Sequence, residues 1–407
     1  MKETTWIAVL DVGTFKVAAL IAEVNPDGAV NVLGVGYAPS NGLKKGVVVN
    51  IDATAHAIDL ALQSAAQAAD IEVGEVFVSI AGSHIRSFNS HGTVAIKDQE
   101  VTEGDIMRVL ETARAVNIAN DHRILHVLPQ EYIIDNQGDI IEKPIGMSGI
   151  RLEVRVHIVT GAISAGQNIS RCVQRCGVEV AELVLQPLAS SYAILTEDEK
   201  ELGVCLLDIG GGTTDIAIFM NGAIEYTGII PIAGSQITND ITVALRTTTA
   251  YAELLKCSKG ASRVQDIEDE LIEAPIIGEK RSRPLHRKEV VHVIQARMEE
   301  LFSLVRQDIE RSSYFDAIPA GIVITGGTAS LPGIAALASD VFELPVRIGI
   351  PLYQGSHDTQ LCQPQFSTVI GLLYYARNKI LQEGPERTAF SLRRVGRWIR
   401  NWLEDNF

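Results

Sequence analysis

Ile7-Ala-Val-Leu-Asp11-Val-Gly13-Thr14-Phe-Lys16 and Val204-Cys-Leu-Leu-Asp208-Ile-Gly210-Gly211-Gly212-Thr213-Thr214-Asp215 read as one device used twice. Each is an apolar run, an Asp, a Gly/Thr turn and a second apolar run, Val17–Ala22 in one case and Ile216–Phe219 in the other. That pattern is a strand, a tight turn and a strand, with the acid at the turn. A third glycine turn, Gly326-Gly327-Thr328, follows Ile322-Val-Ile-Thr. Any one of these alone is an ordinary glycine hairpin. Three of them, with the Asp repeated at the same place, are what a nucleotide clamp needs.

A triphosphate is strongly anionic, so bare amides must come close to it. Glycine allows that approach because it lacks Cβ and tolerates positive φ. Successive N–H groups in a turn make an anion-binding nest. Thr14, Thr213 and Thr214 add hydroxyl donors, and Lys16 adds a positive charge. Asp11 and Asp208 would repel phosphate unless a divalent cation lay between. Mg²⁺ takes oxygen ligands and keeps several waters, so both acids are assigned to its water shell.

These turns resemble the phosphate loops of the actin/Hsp70/sugar-kinase ATPase superfamily. The resemblance implies an α/β fold of duplicated actin-like (ribonuclease H-like) lobes around a nucleotide cleft, with a subdomain inserted in each half. It implies ATP and Mg²⁺ as cofactors. Gly13, Thr14 and Lys16 would hold phosphates from one side, and Gly210, Gly211, Gly212 and Thr213 from the other. Gly326 and Gly327 would back the adenosine. Glu253 and Lys256, in Ala-Glu-Leu-Leu-Lys, are similar to the ribose-contacting helix of related ATPases; read without the resemblance, they are a surface ion pair. Gln186 sits where relatives carry a water-orienting Gln or Glu, so Gln186 and Asp208 are the candidate catalytic residues. A glutamine is no general base, which implies slow ATP hydrolysis at most.

The totals narrow the class. A chain of 407 residues predicts two to four domains. A net charge of −15 argues against a nucleic-acid-binding body. The five cysteines, at 172, 176, 205, 257 and 362, show no metal or disulfide spacing and read as reduced, buried or partly buried thiols. No signal peptide is expected, since Lys2, Glu3 and Asp11 break the first apolar run. Ala317–Ser339 lacks charge but carries a glycine turn and Pro332, so no bilayer span is expected.

Texture divides the chain. Residues 1–82 and 162–202 are assigned to the first lobe, with a helix over 53–69 and a buried strand over 76–80. Residues 83–161 read as an inserted α+β module. There Thr102-Glu-Gly-Asp105 is a capping signature, 124–134 a strand bearing Pro129, and 150–158 a faultless alternation. Residues 203–228 and 314–381 are assigned to the second lobe. Residues 229–313 form a second subdomain, with helices over 235–245 and 249–256, a polar segment over 258–289, and a long helix through Ile294 and Ile309. Residues 382–391 read as a linker.

The tail, 392–407, places Leu392, Val395, Trp398, Ile399, Trp402, Leu403 and Phe407 on one helical face. Arg393, Arg394, Arg397 and Arg400 flank it. A basic amphipathic helix with Trp on its apolar side reads as a monotopic membrane anchor; the alternative is a helix docked on its own protein. Partial burial of these side chains contributes on the order of 10 kcal/mol. Ordering the segment costs a similar amount, at about 1 kcal/mol per residue. Each arginine on anionic lipid adds roughly 1 kcal/mol. One tail therefore binds reversibly, and many on one polymer bind firmly.

Insert and tail together resemble the FtsA family of bacterial cell-division proteins. That resemblance implies a filament-forming adaptor at the cytoplasmic face of the inner membrane, at the division site. The implied partners are the C-terminal tail of the tubulin-like protein FtsZ, further copies of the chain, other division proteins and anionic lipid. The basic run Arg281, Arg283, Arg287 and Lys288 is the candidate FtsZ landing site, or else a solvated loop. Competing readings are a sugar kinase, which would leave the tail unexplained; an Hsp70-like chaperone, which would need a further peptide-binding domain; and a pilus-assembly relative, expected to lack the tail.

Overall fold

The computed structural model describes residues 5–135, 141–277 and 282–383. β1 (Thr5–Val12), β2 (Lys16–Val24) and β3 (Val30–Pro39) form an antiparallel meander. β2 is buried at almost every position, as suits a strand covered on both faces. A two-residue ribbon, β4 (Leu43–Lys44) with β5 (Val47–Val48), leads into α1 (Ile51–Ala69). Asn50 caps this helix by accepting the Ala53 N–H at 3.0 Å. β6 (Glu75–Ile80) follows and pairs in parallel with β1.

The chain then leaves the first sheet. β7 (Arg86–Ala95), α2 (Glu103–Arg114), β8 (His122–Ile134) and β9 (Arg151–Ala162) build the inserted module, with strand order β7-β9-β8. The Thr102/Asp105 capping box forms as the sequence indicates. Pro129 sits at a register shift on the edge strand β8, where a missing N–H is tolerated. Leu152, Val154, Val156 and Ile158 face inward with Val109 and Ala113, so the module has its own core.

α3 (Ile163–Gln174) and β10 (Glu179–Leu185) return to the first sheet, which reads β10-β6-β1-β2-β3. α4 (Gln186–Ile194), with Pro187 in its first turn, and α5 (Glu197–Leu202) carry the chain across. β11 (Val204–Ile209), β12 (Thr214–Met220) and β13 (Ala223–Ile230) open the second half. Its subdomain holds α6 (Gly234–Leu245), α7 (Thr249–Lys259), a hairpin of β14 (Leu271–Pro275) with β15 (Ser282–His286), and α8 (Arg287–Ser312). β16 (Ile322–Thr325), α9 (Ile334–Phe342), β17 (Val346–Ile348), α10 (Asp358–Leu361) and α11 (Ser367–Glu383) complete the described chain.

The second sheet reads β17-β16-β11-β12-β13, the first sheet's topology repeated. In both, a central strand turns back on an antiparallel neighbour and gains two parallel strands on its other side. The fold is thus a duplicated, mixed α/β architecture of two like lobes.

Three segments differ from expectation. α11, grouped by sequence with the second lobe, packs on β1, β2 and β6; Val369, Ile370, Leu373 and Ala376 join the core of Leu10, Leu20 and Ile80. The polar segment 258–289 contains the β14–β15 hairpin, whose short strands bury only alternate residues such as Ile272 and Leu285. The helix reaches Glu383, inside the expected linker; the rest of that linker and the amphipathic tail lie outside the described residues. Among the described residues, no helix is long and apolar enough to cross a membrane.

Candidate functional site

The two acid-bearing turns are the same structure. Gly13 N–H donates to the Lys16 carbonyl at 3.0 Å, and Gly210 N–H donates to the Thr213 carbonyl at 3.0 Å. Asp11 stands opposite Ala18 in its hairpin, and Asp208 stands opposite Asp215. The turns face each other across a cleft of about 670 Å³. Asp11, Gly13, Thr14 and Lys16 line one wall; Asp208, Gly210, Gly211, Gly212, Thr213, Gly326 and Gly327 line the other. Gln186 lies between them.

Close approach, rather than positive φ, explains Gly13 and Gly212 among the turn glycines. Among those named, only Gly326 is left-handed, at φ 86°. A Cβ there would also lie 2.5 Å from Asp208 Oδ1 and from the Ile209 carbonyl. At Gly212 a Cβ would meet the Thr14 hydroxyl at 2.5 Å, so the two turns nearly touch.

Each acid is held from behind. Ser79 Oγ donates to Asp11 Oδ1 at 2.7 Å and accepts the Val12 N–H at 3.1 Å. Gln186 Nε2 donates to the same Asp11 oxygen at 3.1 Å. Asp208 Oδ2 accepts from Ser190 Oγ at 2.6 Å and from Thr368 Oγ1 at 3.1 Å. Ser79, Ser190 and Thr368 carry no pattern in the sequence. They come from three distant elements, and only folding brings them to the acids.

The electrostatics are those of crowded, buried carboxyls. Burial raises the Asp11 pKa, against the lowering effect of Ser79, Lys16 and Gln186. Burial, with Asp11 nearby, pushes Asp208 up to about 6. Burial, with Asp208 beside it, pushes Asp215 to about 8. Asp215 Oδ2 accepts from Thr213 at 2.9 Å, while its Oδ1 is buried without a partner. Among the described residues, no three His, Cys, Asp or Glu side chains converge as direct metal ligands. An oxygen-rich cluster of mutually repelling acids fits a hydrated divalent cation, which would reach Asp11 and Asp208 through its waters.

The other candidates fall in several places. Lys16 reaches the cleft, but burial pulls its pKa to about 8. Its ammonium donates to the Gln365 carbonyl at 3.0 Å and lies 3.6 Å from the Phe366 ring centre, so its charge is less fixed than the sequence implies. Thr214 is fully buried and donates to the Ile232 carbonyl at 2.8 Å, turned away from the cleft. Glu253 and Lys256 pair at 2.7 Å behind Gly234, with Thr238 bonded to both, and are not among the residues lining the cleft. Ion pairing and the Thr238 hydroxyl outweigh burial and hold the Glu253 carboxyl below its usual range.

In the basic run, Arg281 lies outside the described residues. Arg283 donates to the Leu245 carbonyl at 3.1 Å and Arg287 to the Lys259 carbonyl at 2.9 Å, so both are tied into their own subdomain. Lys288 lines a separate hollow between α8 and α9. All five cysteines are free thiols, and Cys257, against expectation, is exposed.

Residues 205–371 match the family model "Cell division protein FtsA", and residues 82–160 match "SHS2 domain inserted in FTSA". The chain is 52% identical to the cell division protein FtsA of Pseudomonas aeruginosa over 374 residues, covering 92% of this chain and 89% of that one. It is 47% identical to the FtsA of Neisseria meningitidis over 413 residues, covering 98% and 99%. In three dimensions it resembles a chain of the PilM-PilN type IV pilus biogenesis complex, with TM-score 0.66 and 16% identity over 91% of this chain and 98% of that one. It also resembles MreB5 of Spiroplasma citri bound to ADP, with TM-score 0.56 and 15% identity over 93% and 99%.

Proposed function

Because the chain belongs to the FtsA family of cell division proteins, we propose that it is an ATP-binding, actin-like adaptor that polymerises and tethers FtsZ to the cytoplasmic membrane. The observation that carries the nucleotide half is the pair of matching turns, Gly13–Lys16 and Gly210–Thr213, facing across one cleft. Their amides and glycines suit a triphosphate, and Asp11 with Asp208 suits its Mg²⁺. The MreB5 relative, solved with ADP, shares this fold.

Gln186 holds Asp11 and would orient water rather than deprotonate it, so binding and assembly outweigh turnover. The membrane half rests on the sequence of 392–407, with four arginines and two tryptophans in a basic amphipathic pattern. The basic segment around Arg283, Arg287 and Lys288 is the surface proposed for the acidic FtsZ tail.

The test is electron microscopy on anionic lipid monolayers, with and without ATP and with FtsZ added. ATP-dependent filaments that recruit FtsZ to lipid are expected. Nucleotide-independent adsorption, or FtsZ left in solution, would reject the reading.

A further inference from the structure

Asp208 is tied to both helices that cross between the lobes. α4 follows directly on β10 of the first sheet and leads to β11 of the second. α11 packs on β1, β2 and β6 of the first sheet and along α4. From these two helices Ser190 and Thr368 reach the same oxygen, Asp208 Oδ2, at 2.6 and 3.1 Å. The two hydroxyls stand 3.1 Å from each other. Ser190 is fully buried and Thr368 nearly so.

On α4, Ser190 lies four residues after Gln186, one helical turn along the same face. Gln186 holds Asp11 of the first lobe, and Ser190 holds Asp208 of the second. One turn of one helix therefore spans the two acids. α11 makes a second tie to the far lobe, through Ser367 Oγ and Thr325 Oγ1 at 2.6 Å.

We propose that Ser190 and Thr368 are positioning residues that latch Asp208 to both crossover helices, so that the cation at the cleft and the angle between the lobes are coupled. This rests on the nucleotide clamp proposed above. A hydroxyl has one proton to give. With Ser190 and Thr368 both giving their protons to Asp208, neither has one left for the other, so both hydroxyls are committed to the carboxylate. Both hydroxyls take Oδ2, which leaves Oδ1, against Gly326, for a water of the metal shell. A cation that fixes the carboxylate through Oδ1 fixes Oδ2 as well, and with it the α4 and α11 register. Conversely, a lobe rotation that slides either helix turns the carboxylate. The coupling runs through the carboxylate, although Gln186 of α4 and Thr368 of α11 also line the cleft.

The test uses the full chain and a fluorescent ATP analogue, titrated once with Mg²⁺ and once with EDTA. The double variant Ser190→Ala/Thr368→Val should lose about tenfold of the Mg²⁺-dependent gain in affinity, the usual effect of removing groups that orient a metal's ligands. Its affinity in EDTA should stay within about twofold of the unaltered protein. Thr368→Ser, which keeps the hydroxyl, should keep the Mg²⁺ dependence. Hydrogen exchange in α4 and α11 should slow further on going from ATP with EDTA to ATP with Mg²⁺, and the double variant should lose that difference. Equal losses with and without metal would reduce both residues to packing and overturn the latch. An unshifted Mg²⁺ dependence would do the same while leaving the clamp intact. No ATP binding by the unaltered protein would remove clamp and latch together.

Discussion

Gly212 of the second lobe sits so close to Thr14 of the first that a Cβ would lie 2.5 Å from the threonine hydroxyl. Here the two turns meet backbone against side chain, with no room for a Cβ. Gly212→Val must push the turns apart or distort both, at about 3 kcal/mol or more. ATP affinity should fall roughly 100-fold, read by isothermal titration, with circular dichroism unchanged. Normal affinity in a folded variant would refute the clamp.

The inserted module leaves the first lobe yet bonds to the second. Gln130 Nε2 donates to the Ile224 carbonyl at 3.1 Å and to Glu225 Oε2 at 2.8 Å. Ser87 Oγ donates to the Thr227 carbonyl at 2.9 Å. Gln130→Ala should cost about 1 kcal/mol, since the Ile224 carbonyl loses this donor while Glu225 Oε2 keeps the Tyr314 hydroxyl. Urea unfolding measures the loss, and faster hydrogen exchange should be confined to β8, β9 and β13.

His157 lies in the same seam, between Asn89 Oδ1 at 2.6 Å and Thr227 Oγ1 at 3.0 Å. Burial pushes its pKa down from 6.5 to about 4. The folded value is below the unfolded one, so its stabilisation is full above pH 6.5 and is lost as pH falls towards 4. The raised carboxyls Asp208 and Asp215 act in the opposite sense over this range, so global stability would blur the effect. Local exchange in β9 and β13, corrected for its intrinsic pH dependence, should accelerate between pH 6.5 and 4.5. His157→Gln should abolish that step.

Trp402→Glu places a charge in the apolar stripe of the tail. Losing one large apolar side chain costs roughly 2–3 kcal/mol of lipid affinity. Sedimentation with anionic liposomes should fall by about 30-fold or more, with ATP binding unchanged. Undiminished sedimentation would reject the anchor.

Much of the architecture was legible because its signals are local. The acid-bearing hairpins declare themselves through apolar runs broken by glycine, and both formed with the same register. The Thr102 capping box and the alternation before Ile158 defined the inserted module for the same reason. The β14–β15 hairpin escaped because five-residue strands with one buried face leave too few apolar positions to count. Thr214 looked like a phosphate ligand because a one-dimensional reading cannot tell which side of a strand faces the cleft.

The sequence by itself determined the two turns, their acids and glycines, and the insert. These depend on residues within a few positions of one another, where sterics and hydrophobic periodicity act directly. Only the tertiary structure decided that α11 closes the first lobe, and that Ser79, Ser190 and Thr368 hold the acids. A buried hydroxyl gains its meaning from a partner far away in the chain, and neither side chain advertises the other until the sheets have packed.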